Sequence, residues 1–179
     1  VRVLDACGFD PVLVETVGVG QVEVEVASAA DTLVVVVTAG WGDAVQANKA
    51  GLLEIADLVV VNKADRPGAH DARRDLESML DLSEATGQIA DRPAVTLTTA
   101  TEGVGIDDLW SAIQAHQGRL VADGRLVERR SRRHRSEVRS TLDHLLTEAV
   151  EDRIADLSAL SDEVPGTVAR RLAAELLRE

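Results

Sequence analysis

The stretch Leu58-Val59-Val60-Val61, running straight into Asn62-Lys63-Ala64-Asp65, sets the tightest limit on the fold. An unbroken apolar, β-branched run has no solvent face, so it belongs in a parallel sheet covered on both sides. Ligands of such sheets sit beyond the carboxyl ends of the strands, which is where this tetrapeptide falls. Leu33 to Thr38 reads as a second buried strand and Val95 to Thr99 as a third. Between and after them lie charged segments with helical spacing. The one from about Asp71 to Ala85 is expected to pack Leu76, Met79, Leu80 and Leu82 on the sheet. The one opening at Ile106 is expected to bury Leu109, Trp110 and Ile113. Val1 to Phe9 reads as the end of a helix closed by Gly8. A short strand, Val12-Leu13-Val14-Glu15, is expected next, and then a crossover helix from Gln21 to Ala30.

The tetrapeptide has chemistry as well as position. An Asp carboxylate can accept hydrogen bonds from the N1–H and 2-amino group of guanine, and adenine has neither donor. A site built around such an acceptor rejects the wrong purine, because the carboxylate is then left desolvated and unpaired. Asp65 is thus expected to choose the base. Asn62 would hydrogen-bond near the base and tie neighbouring loops together, while the aliphatic stem of Lys63 covers the ring. The competing reading is a polar turn in which Asp65 caps the next helix. Thr99, Ala100 and Thr101 follow the third strand, where a backbone N–H could reach the guanine O6.

Two further stretches point to phosphate chemistry. In Glu15-Thr16-Val17-Gly18-Val19-Gly20-Gln21, the carboxylate of Glu15 can hold a magnesium-bound water, and Gly18 lets a backbone N–H approach a phosphate. Gln21 either orients a water or faces solvent. Asp43 and Gln46 have capping-box spacing before a helix running to about Ala56. With Lys49 they could also share one side of its first turns and face the same ligand edge. Spacing alone favours the cap.

Composition narrows the partners. A net charge of -12 and 2% aromatic residues argue against nucleic acid, anionic membranes and stacking platforms. No run is long enough to span a membrane and Val1 opens no basic leader, so the chain reads as cytoplasmic. The single cysteine, Cys7, excludes an internal disulfide and is expected as a small buried side chain. Lys49 and Lys63 are the only lysines, which marks both as places where a compact ammonium is wanted.

From about Arg119 the composition changes. Arg125, Arg129, Arg130, Arg132, Arg133, Arg135 and Arg139 lie on a long predicted helix that continues through Val138, Leu142, Leu145, Leu146, Ala149, Ile154 and Leu157. A domain this small cannot cover such a stripe, so a partner is expected, most simply a second copy. The arginines are expected on a solvated face or in salt bridges between subunits. Pro165-Gly166 breaks the helix, and Thr167 to Leu177 forms a last one. Residues 1–118 read as one domain and 119–179 as a helical extension.

Glu15 to Gln21, the Gly42 to Gly51 loop, Asn62 to Asp65 and Thr99 to Thr101 together resemble the MeaB/ArgK family of GTPases. These are G-protein chaperones of adenosylcobalamin-dependent methylmalonyl-CoA mutase. The resemblance implies an α/β fold of the P-loop-NTPase (G-protein) kind, a mostly parallel sheet flanked by helices, with a helical dimerisation extension. It implies GTP and GDP as ligands, Mg2+ as the ion, a homodimer through the C-terminal helices, and gating of cofactor delivery to the mutase or a related acyl-CoA mutase. Glu15 matches the family's magnesium-shell acid and Asp65 its guanine-selecting residue. The Gly42 to Lys49 loop matches a third switch that answers to the mutase, with Asp43, Gln46 and Lys49 as working positions. Lys49 would offset charge near the phosphates in place of an arginine finger.

One departure is large. The sequence contains no Gly-x-x-x-x-Gly-Lys-Ser/Thr, the loop whose N–H groups, lysine and hydroxyl hold the phosphates and metal. The chain therefore reads as the C-terminal part of a GTPase, and no hydrolysis is expected of it alone. Two other readings share features with this one. A nickel-type metal-insertion GTPase has the same sheet and guanine motif, although His70, His116, His134, His144 and Cys7 are scattered. A non-catalytic dimerisation or partner-binding module would account for the missing loop and the long helix.

Overall fold

The computed structural model describes residues 1–16, 29–39, 53–155 and 164–176. Its elements run in the order helix α1 (Arg2–Ala6), strands β1 (Val34–Thr38) and β2 (Leu58–Asn62), helix α2 (Ala69–Ala85) and strand β3 (Ala94–Thr98). A 3-10 turn (Ala100–Glu102) follows, then helices α3 (Ile106–Ala122), α4 (Arg125–Ala155) and α5 (Pro165–Leu176). The chain forms two compact units, Val1–Arg130 and Ser131–Glu179.

The first unit is built on a parallel sheet of order β1-β2-β3. Val34, Leu58 and Ala94 are level at one edge, and Thr38, Asn62 and Thr98 at the other. All three strands therefore end on the same side. Central β2 is buried along its apolar length, with Leu58, Val59, Val60 and Val61 at 0–2% exposure. Burying each such side chain contributes about 1.5–3 kcal/mol. Alternation puts Val59 and Val61, with Val35, Val37 and Val95, on the face covered by Ala69, Leu76 and Leu80 of α2. Leu58 and Val60 point to the opposite face, and α3, which also packs on β2 and β3, buries His116 and Leu120. The expected parallel α/β sheet flanked by helices is the one observed.

Three packing expectations change. On α2 the buried stripe runs through Ala69, Leu76 and Leu80. At 100° per residue, Met79 lies about 80° from its centre and Leu82 about 140°, and both are exposed, Leu82 at 66%. On α3 the stripe passes from Leu109 and Ile113 to His116 and Leu120, leaving Trp110 about 90° to one side and 40% exposed. Residues 12–16 form no strand, and Leu13 is 85% exposed. A strand needs a hydrogen-bonded neighbour, and among the described residues the sheet pairs only β1, β2 and β3. The expected crossover helix falls at residues 21–30, of which 21–28 lie outside the described residues.

Helix α1 ends as its sequence suggests, with Gly8 at φ +82° and Phe9 N–H donating to Leu4 O. Cys7, however, is exposed. In the second unit α5 packs Val168 to 8% exposure, and Arg153 of α4 reaches Glu175 of α5 at 3.7 Å. Leu142, Leu145, Leu146 and Ile154 remain about half exposed along α4. Among the described residues no helix is long and apolar enough to cross a membrane.

Candidate functional site

The edge where the three strands end carries the motif. β2 finishes at Asn62, and Lys63 then adopts φ +60°, the left-handed region, alone among the described non-glycine residues. A side chain in that region costs roughly 1–2 kcal/mol. The turn is held by its neighbours, with Ala64 N–H donating to Thr98 O at 3.0 Å and Arg66 N–H to Lys63 O at 3.0 Å. Strain maintained in this way is characteristic of ligand sites.

Asn62 is fixed from the adjacent strand. Its Oδ1 accepts the Thr98 hydroxyl at 3.2 Å and the Ala100 N–H at 3.1 Å, and Thr98 is 2% exposed. Flipping the amide would set its NH2 against the Ala100 N–H, which can only donate, so the carbonyl side is committed to protein. Asn62 thereby ties the end of β2 to the turn after β3. Thr98, which composition and pattern did not single out, is the residue that sets its orientation.

Asp65 and Lys63 are exposed on the turn. Helix α2 has Gly68 at its N-cap and no side-chain cap, so the competing reading, in which Asp65 caps it, is not met. Thr99 is buried and donates its N–H to Val104 O at 3.0 Å, while Ala100 and Thr101 are exposed on the 3-10 turn. With the Thr99 and Ala100 N–H groups engaged, an arriving carbonyl meets Thr101 or displaces Asn62 from Ala100. Gly105 closes this loop at φ +75°, and a Cβ there would stand 2.2 Å from Leu97 O. The backbone can pass so close to β3 only as glycine.

Of the phosphate-side candidates, Glu15 is exposed and outside any strand. Gly18, Gln21, Asp43, Gln46 and Lys49 lie outside the described residues. Among the described residues, no group of three or more His, Cys, Asp or Glu could hold a metal ion.

A second polar cluster sits at the opposite end of the sheet, where β1 and β2 begin. Asp57 Oδ2 accepts Leu33 N–H and Arg129 Nη1, both at 2.8 Å. Its Oδ1 accepts Arg129 Nη2 at 2.7 Å and lies 3.2 Å from His116 Nε2. His116 Nδ1 is 2.9 Å from the Thr32 hydroxyl. Arg130 binds Asp31 at 2.6 Å, and Arg125 binds Asp91 and Asp123. These three arginines were expected on a solvated face or between subunits. They pair within the chain, with carboxylates of the segments before the strands and of the α3–α4 turn, and Arg125 stays half-exposed and Arg130 exposed as they do so. Burial pushes the His116 imidazolium below the ordinary histidine range and Asp57 opposes this, while Arg129, Arg119 and Arg125 add to it.

Comparison with known proteins places this geometry. The profile of the family described as Methylmalonyl Co-A mutase-associated GTPase MeaB matches residues 1–155. A Pyrococcus abyssi protein that carries GTPase as a provisional name is 45% identical over 155 residues, 86% of this chain and 48% of that protein. The GTPase ArgK of Escherichia coli is 42% identical over 127 residues, 69% of this chain and 38% of its own length. The mouse methylmalonic aciduria type A homolog, mitochondrial, is 37% identical over 131 residues, 72% of this chain and 31% of its own length. The chain thus spans about half, or less, of the curated relatives it matches. The crystal structure of a LAO/AO transport system kinase superposes with a TM-score of 0.59 at 27% identity, covering 98% of this chain and 59% of that one. With the family profile matched across most of its length, this chain belongs to the MeaB family of GTPases.

Proposed function

We propose that this chain is the base-reading half of a GTP-hydrolysing chaperone that gates adenosylcobalamin delivery to methylmalonyl-CoA mutase, or a related acyl-CoA mutase, and protects it. The observation that carries the reading is the Asn62 amide, whose oxygen is held by Thr98 and Ala100 at the end of β2, with Asp65 exposed three residues on. In this reading Asp65 accepts the guanine N1–H and 2-amino group. Asn62 donates to the other edge of the purine, and the Lys63 stem lies on the ring. Thr101 supplies the N–H for O6, with Thr99 and Ala100 shaping the loop. Gly18, Gln21, Asp43, Gln46 and Lys49 belong on the phosphate side. Glu15 would be the carboxylate for Mg2+; it is exposed, and among the described residues no further acids gather round it as a metal site. Lacking a Gly-x-x-x-x-Gly-Lys-Ser/Thr loop, the chain alone reads the base and does not hydrolyse GTP.

Two things support the partners. The family description names methylmalonyl-CoA mutase, and the mouse relative's name refers to methylmalonic aciduria. The half-exposed stripe of Val138, Leu142, Leu145 and Leu146 suits a homodimer through α4. The test isolates the base. Saturation-transfer NMR on this chain with guanosine, adenosine and xanthosine should give transfer to guanosine alone, and Asp65→Asn should move the preference to xanthosine. Equal transfer to guanosine and adenosine, or an unchanged preference in Asp65→Asn, would refute it. Capture of a purified acyl-CoA mutase by the chain tests the partner separately.

A further inference from the structure

The Asp57 cluster lies away from the nucleotide edge, and base reading makes no use of it. Each carboxylate oxygen serves two partners, Leu33 N–H and Arg129 on Oδ2, Arg129 and His116 on Oδ1. Arg129 and His116 thus share one oxygen. The neutral imidazole with its proton on Nε2 fits these distances, since Nε2 lies 3.2 Å from Asp57 Oδ1 and Nδ1 can accept the Thr32 hydroxyl. A further proton, taken from water, has only Nδ1 to go to, and the Thr32 oxygen can turn to accept it. The ring then carries a full positive charge beside Arg129.

We infer that Asp57 is an acceptor for which Arg129 and His116 compete, so that protonating His116 releases Arg129 and the start of helix α4 works as a proton-operated latch on the sheet. The groups facing His116 decide which partner leaves. From the start of β2 comes Asp57, and from the segment before β1 come Thr32 and Asp31, whose carbonyl also accepts Arg129 Nη1 at 3.1 Å. From α4 come Arg129 and Arg125, and α3 itself adds Arg119. Asp57 is already paired with Arg129, so an imidazolium at His116 sets two cations against that one carboxylate. The Arg129 side chain is 35% exposed and can turn to water, whereas His116 is 8% exposed and cannot. Arg125 and Arg130 keep their own carboxylates, so the turn around Arg129 loosens while the helix stays attached. Burial holds His116 below the ordinary histidine range, which puts the transition on the acid side of neutrality.

The test follows the whole 179-residue chain by NMR from pH 8 to 5, reading the His116 ring nitrogens, the Arg129 guanidinium and the exchange protection of amides at the start of α4. The bound Arg129 signals should disappear with the midpoint of the His116 titration. Protection, corrected for intrinsic exchange, should fall at least tenfold over the same range, and His116→Gln should abolish both changes. An Arg129 that stays bound through the His116 titration overturns the latch, as does the same loosening in His116→Gln. Should that variant not fold, Thr32→Val serves instead. It removes the Nδ1 partner in both protonation states, so the Arg129 midpoint should move with the His116 midpoint in whichever direction that goes, and an Arg129 transition that stays in place while His116 shifts refutes the coupling.

Discussion

Replacing Gly105 with alanine tests how the base loop is built, and Gly103 supplies the control. Both glycines have left-handed φ, +75° and +73°, so alanine at either costs about 1–2 kcal/mol in backbone conformation. They differ in surroundings. A Cβ at Gly103 meets nothing within 4 Å, whereas one at Gly105 stands 2.2 Å from Leu97 O, about 1.2 Å inside ordinary contact. Leu97 belongs to β3, paired with Val61 of β2, so it cannot retreat without disturbing the sheet. Overpacking of this kind costs roughly 1–3 kcal/mol, and a loosened ladder hydrogen bond about 1 kcal/mol more. The expected destabilisation is therefore about 1–2 kcal/mol for Gly103→Ala and about 3–6 kcal/mol for Gly105→Ala. In urea, with a slope of about 2 kcal/mol/M, the Gly105→Ala midpoint should fall about 1–2 M further than that of Gly103→Ala. Loss of any folded baseline in Gly105→Ala alone supports the same account. Midpoints that coincide within about 0.3 M would show that Leu97 O gives way freely and that the close approach is not what requires glycine.

Three further outcomes follow from named contacts. Thr98→Val keeps shape but removes the hydroxyl on Asn62, so it should cost about 1 kcal/mol in urea unfolding and weaken guanosine transfer, because the Ala100 N–H alone is then left to hold the amide. Lys63→Gly relieves a left-handed side chain, so its stability should match or exceed the parent's by up to about 1 kcal/mol while base binding weakens; a clear loss of stability would show that Lys63 is not strained. His116 binds its proton less readily when folded than its ordinary value of 6.5. The unfolded chain therefore takes up more protons, and stability present above pH 6.5 is lost as pH falls toward the lowered value. Urea midpoints at pH 7.5 and 5.5 should show this fall, and His116→Gln should reduce it.

Much of the sheet was legible because apolar β-branched runs leave few alternatives. Val34–Thr38 and Leu58–Asn62 appear where their sequences put them, in parallel. Residues 12–16 carry a similar apolar pattern and form no strand. A pattern records what a strand could bury, and it says nothing about whether a neighbour is there to pair with. Trp110 and Leu82 mislead in another way, since apolar character does not settle which 100° sector of a helix meets the sheet.

The Asp57 cluster was illegible for a different reason. Asp57 and Arg129 are 72 residues apart, His116 and Thr32 84 apart, and no periodicity connects such positions. The hint the sequence offers is local. Asp57 is a charged residue immediately before a fully buried strand, where a carboxylate persists only if donors meet it. The motif and the cluster stand at the two ends of β2. Lys63 holds its left-handed turn only while β2 stays level with β3, and β2 is fixed at one end by Asn62 on Thr98 and at the other by Asp57 on Leu33 and Arg129. Asp57→Asn keeps the Leu33 acceptor but loses the charge that holds Arg129. If the two ends are coupled through β2, it should weaken guanosine transfer at Asp65 as well as stability. If guanosine transfer is untouched while the urea midpoint drops, the far end of β2 is set by Thr98 and Ala100 alone.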